Sequence, residues 1–84
     1  MTMKLQPVQI ATGSNDRESR LVFEDGMLVA VLVLLSGEHD AHAGKWFLEG
    51  GFGPVKDVHA PLFDDLETAK AWISTQLVDI TSRD

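Results

Sequence analysis

The residues best equipped for chemistry are crowded into Glu38-His39-Asp40-Ala41-His42, between Ser36-Gly37 and Ala43-Gly44. Imidazole and carboxylate are the usual ligands of zinc and related divalent ions, and His59 supplies a third imidazole elsewhere in the chain. The spacing argues against a built site. A zinc-protease helix places its histidines at i and i+4 with a glutamate between them, whereas His39 and His42 stand at i and i+3 in a segment rich in turn formers. A loop has no fixed register with which to aim ligands. The expected reading is a solvated loop that keeps the exit of an apolar strand soluble. A divalent-metal or small-ligand site built from the 38–42 loop and His59 is the alternative, and no cofactor is expected.

Other chemistry has less to build on. Gly50-Gly51-Phe52-Gly53-Pro54 is glycine-rich, but a phosphate cradle must feed a helix N-terminus, and here a proline and a polar stretch follow. It reads as a turn. Ser14, Ser19, Ser36, Ser74 and Ser82 fall in expected loops or on a helix surface, away from any strand-to-helix elbow. Asp64 and Asp65 resemble paired carboxylates, yet helix capping accounts for them. Trp46, Phe47, Phe52 and Trp72 lack the interleaved cations of a nucleic-acid platform, so the tryptophans read as core. No catalytic residue is assigned, and an enzyme is the least favoured class.

The whole chain agrees. It has 84 residues, 44% of them hydrophobic, no cysteine, and a net charge of −6. One α+β domain spanning 1–84, with 1–3 and 81–84 as frayed ends, is the expected organisation. The acidic balance and scattered cations argue against nucleic acid and anionic membranes as partners. Absent cysteines and the lack of an N-terminal apolar leader fit a cytoplasmic protein.

The element that must be served is Met27–Leu35, nine apolar residues in succession. That is too short for a membrane helix, which needs about 20 residues. Bounded by Asp25-Gly26 and Ser36-Gly37, it reads as a strand apolar on both faces. Asp-Gly predicts a two-residue type I′ hairpin to a strand over Arg20–Glu24. Strands are also expected over Lys4–Ile10, at an edge because of Pro7, and over Gly44–Glu49, with a short one over Val55–Ala60. One helix follows, capped by Asp64 with Glu67, its apolar stripe formed by Leu66, Ala69, Ile73, Leu77 and Ile80. The expected fold is an antiparallel meander of three to four strands with one C-terminal helix packed on one face.

An unbroken hairpin register would put Leu21, Phe23, Leu28, Ala30, Leu32 and Leu34 under the helix. Val22, Met27, Val29, Val31, Val33, Leu35 and Phe47 would then form a second apolar face, rimmed by Arg20, Glu24, Lys45 and Glu49. That second face is the expected interface of a small non-catalytic domain, burying itself in a homodimer or against another protein.

Overall fold

The computed structural model describes residues 3–9, 11, 18–36, 43–56 and 59–81, with side chains of the closing helix up to Leu77. Four strands, β1 (Met3–Val8), β2 (Ser19–Glu24), β3 (Met27–Leu34) and β4 (Trp46–Gly51), form one antiparallel sheet in sequence order. A 3₁₀ turn at Gly53–Val55 leads toward the helix α1 (Leu66–Thr81). This is the expected α+β meander with its C-terminal helix. Pro7 lies on β1, an edge strand, where a missing N–H costs the sheet least.

The β2–β3 turn has two residues, with Asp25 at φ 51° and Gly26 at φ 85°, the left-handed pair that a type I′ turn demands. Glu24 then pairs with Met27 and Phe23 with Leu28, as the turn predicts. The register slips at the next step, where Val22 pairs with Ala30 and Leu21 with Val31. Val29 is the extra residue of a β-bulge. A second slip between Val31 and Leu32 leaves Glu49 as the extra residue on β4. The physical reason lies in the composition of β3. Where every residue is apolar, no period-2 pattern penalises an inserted residue, so twist and packing decide the register.

The core lies between the sheet and α1. Val22, Val29, Ala30, Leu32, Trp46, Val55, Phe63, Ala69, Ile73 and Leu77 form one buried cluster, with Met3, Leu5, Leu34, Leu48, Leu66 and Trp72 packed around it. Ala30 is fully buried, a small residue in the middle of the helix-facing surface. Phe63 pairs with the outer edge of β4: Trp46 N–H donates to Phe63 O at 2.7 Å and Phe63 N–H returns the bond at 2.9 Å. Its ring tilts against Trp72 with centroids 5.7 Å apart.

Several expectations need correction. The cap of α1 is Asp65 rather than Asp64, since the Thr68 N–H donates to Asp65 Oδ1 at 2.7 Å. Asp64 instead pairs with Lys45, which brings β4 and the helix entry together. The Thr68 hydrogen bonds hold the Asp65 carboxyl below its ordinary pKa. Val55, expected to open a short strand, instead ends the 3₁₀ turn, and Phe63 makes the bridge to β4; residues 57 and 58 of the expected strand lie outside the described residues. Finally, β4 extends through Gly50 and Gly51, which were expected to break it.

Candidate functional site

The two bulges sort the side chains onto faces that a straight register would have mixed. Beneath α1 lie Met3, Leu5, Val22, Ala30, Leu32, Trp46 and Leu48. Arg20 is also on this side, its guanidinium 5.2 Å from the centre of the Trp46 ring and 3.5 Å from Glu18. Val22 and Val29 therefore leave the expected interface for the core. Met27, paired with Glu24, goes with them to the helix side, although it is 68% exposed at the turn. Val31, Val33, Leu35 and Phe47 stay on the opposite face by register or alternation, and the slip brings Leu21, Phe23 and Leu28 to join them.

The helix-free face can be laid out in rows across the strands. At the turn end, Lys4, Phe23 and Leu28 stand side by side. Phe52 continues this row, because its N–H donates to Val29 O at 2.9 Å and its backbone is still extended at φ −133° and ψ 152°. Alternation from Gly50 then places Phe52 on this face. The middle row is Gln6, Leu21, Val31 and Gly50, and the far row is Val8, Ser19, Val33 and Phe47.

Exposure varies across this grid. Ser19 and Val33 are buried, and the Ser19 hydroxyl has no hydrogen-bond partner. Leu21, Phe23, Leu28 and Val31 are half-buried. The outer column is open, with Phe47 at 41% and Phe52 at 48% exposure. Between them a Cβ built on Gly50 would meet nothing within 4 Å, so a dent lies between two aromatic rings. At the opposite corner a shallow groove of about 620 Å³ is lined by Lys4, Gln6, Phe23, Asp25 and Gly26.

A second cavity, about 310 Å³, opens between α1 and the turn end of the sheet and is lined by Met3, Glu24, Glu67, Lys70, Ala71 and Ser74. One Glu24 carboxylate oxygen is buried there without a partner, and Lys70 reaches Glu67 at 3.7 Å.

Of the candidate metal ligands, only His59 falls among the described residues. His39 and His42 lie outside the described residues, and His59 is exposed. Among the described residues no three His, Cys, Asp or Glu side chains form a group that could hold a metal ion, and no helix is long and apolar enough to cross a membrane.

Sequence reasoning overlooked Lys4, Gln6, Leu21, Phe23, Leu28, Gly50 and Phe52 as face residues. The signal that could have found part of this was Gly50-Gly51. Glycine within a strand marks a bulge or a close backbone approach. Both occur, the bulge at Glu49 and the approach of Val55 to Gly51. Comparison with known proteins adds no further guide: no family model, no curated protein and no solved structure matches this chain.

Proposed function

We propose that the chain is a non-catalytic module that acts through the helix-free face of its sheet, binding a second copy of itself or another protein. One observation supports this reading above the others. Leu21, Phe23, Leu28 and Val31 are only half-buried on a contiguous surface flanked by the exposed Phe47 and Phe52. Burying such side chains fully gains about 1.5–3 kcal/mol each over leaving them exposed, so partial exposure leaves a substantial driving force unused. A contiguous apolar surface on a small protein marks an interaction site or an aggregation hazard. The acidic balance with scattered cations supports a protein partner over nucleic acid. A cytoplasmic setting fits a chain without cysteine.

Sedimentation equilibrium from the micromolar toward the millimolar range tests the proposal, with Val31→Glu as the probe in the middle of the face. Mass that rises with concentration, together with folded Val31→Glu monomers, is the expected result. A wild type that is monomeric throughout, together with a Val31→Glu chain that simply unfolds, would make this face internal core and overturn the reading.

A further inference from the structure

We infer that the occupant of the helix-free face is a second copy of this chain, related by a two-fold axis running parallel to the strands, with β1 of each copy lying over β4 of the other. The inference rests on the reading above that this face is an interface. It is carried by a match between the two outer columns of the face. The β4 column presents a knob, Phe52, then a dent at Gly50, then Phe47. The β1 column presents a groove beside Lys4 and Phe23, then the exposed Gln6, then Val8.

A two-fold axis parallel to the strands reverses the strand order and preserves position along the strands. It therefore sets each residue of the β4 column against the β1 residue of the same row. Phe52 of one copy meets the groove lined by Lys4, Gln6, Phe23, Asp25 and Gly26 of the other. There the Lys4 ammonium lies within reach of the aromatic face, a favourable cation–π arrangement. Gln6 meets the dent over Gly50, and the far row, where Ser19 and Val33 are already buried within one chain, stays outside the contact. In the centre, Phe23 meets Leu28 and Leu21 meets Val31. Each contact occurs twice, as an isologous interface requires.

The alternative two-fold, perpendicular to the strands, matches badly. It lays β4 over β4, so that the Gly50 dents face each other as a void while Phe47 opposes Phe52. It also lays Lys4 on Val8. A heterologous partner would need to supply its own knob and its own polar residue, whereas a second copy already has both at the right corners.

The size of the face sets the strength. With strands about 4.8 Å apart and same-face residues about 6.8 Å apart, the open positions cover roughly 300 Å² in projection. Standard interfaces bury about 800 Å² per partner. The dimer is therefore a weak one, populated only above micromolar concentrations.

The chain has no cysteine, so Gln6→Cys and Gly50→Cys each introduce one unique thiol. Gln6 is exposed and the Gly50 position has open space, so neither substitution disturbs the monomer. In the proposed dimer a thiol at 6 faces a thiol at 50, while two thiols at 6, or two at 50, lie three strand spacings apart, about 14 Å. A short bis-maleimide added to an equal mixture should trap covalent dimer several-fold faster than in either variant alone. If sedimentation shows dimers but all three samples cross-link equally, the two-fold arrangement is wrong while the interface reading stands. If the mass stays single at every concentration, a second copy is not the occupant. The interface reading itself then fails only if Val31→Glu also unfolds the monomer.

Discussion

Gly50 and Gly51 are neighbours on β4 and look out from opposite sides of the sheet. A Cβ on Gly51 would collide with the Val55 carbonyl, whereas one on Gly50 would meet open space. The contrast holds across the two faces. Beneath α1 the residues Val22, Ala30, Leu32, Phe63, Ala69 and Ile73 are at most 1% exposed. On the other face Leu21, Phe23, Leu28 and Val31 stay half-covered, and of the described apolar side chains there only Val33, in the far row, is as closely buried. Both faces are rich in valine, leucine and phenylalanine, so hydrophobicity does not tell them apart; the backbone that packs against each one does.

The sharpest way to break this contrast is the glycine pair itself. Gly51→Ala should destabilise the fold by about 3 kcal/mol, since backbone of the 3₁₀ turn must move to admit the methyl group. Gly50→Ala should be neutral or stabilising by about 0.5–1 kcal/mol, because alanine loses less backbone entropy in a strand. Urea denaturation of both variants at low concentration checks this, and equal losses would mean that both faces are packed.

Truncations extend the comparison. Ile73→Ala and Leu32→Ala should each cost about 2–4 kcal/mol by opening a cavity in a closed core. In dilute monomer, Leu21→Ala on the open face should cost clearly less, about 1 kcal/mol. Thr75→Ala, on the exposed side of α1, should stay within about 0.5 kcal/mol.

Smaller effects come from polar groups. Ser19 is buried with an unpartnered hydroxyl. Ser19→Ala should therefore leave stability unchanged or raise it by about 1 kcal/mol, read as a higher urea midpoint. Asp65 gives a pH signature. Its carboxyl is held below its ordinary pKa by the Thr68 N–H, so the cap contributes fully above the unfolded carboxylate value of about 4. That contribution is lost as pH falls through the lower folded value. Asp65→Asn should flatten this acid segment of the melting-temperature profile while keeping the helix capped at neutral pH.

Much of this fold was legible in the chain. Asp25-Gly26 specifies its own turn because only residues that tolerate positive φ fit there. Pro7 marks an edge, and the spacing of Leu66, Ala69, Ile73 and Leu77 marks the buried side of α1. What could not be read was which face each β3 neighbour would take. Hairpin chemistry pins only the first pairs, Glu24–Met27 and Phe23–Leu28. Beyond them a nine-residue apolar run lacks the alternation that would report a bulge, so Val22 and Val29 were placed on the wrong side. The helix cap slipped by one residue for a similar reason, because Asp64 and Asp65 are equally competent and the choice was made by Lys45, a long-range contact. The candidate interface was legible as a surplus of apolar residues, while its actual members depended on two register shifts.

The central claim, that the helix-free face joins two copies, is tested most directly by sedimentation equilibrium of the wild type beside Gly50→Arg. The substitution fills the dent that Gln6 of the other copy occupies and sets a second cation near its Lys4, while the open space above Gly50 leaves the monomer fold intact. The wild-type mass should rise above the monomer value as concentration is raised from the micromolar toward the millimolar range, and Gly50→Arg should remain a folded monomer throughout. A wild type that never exceeds the monomer mass, or a Gly50→Arg variant that associates equally well, would contradict the account.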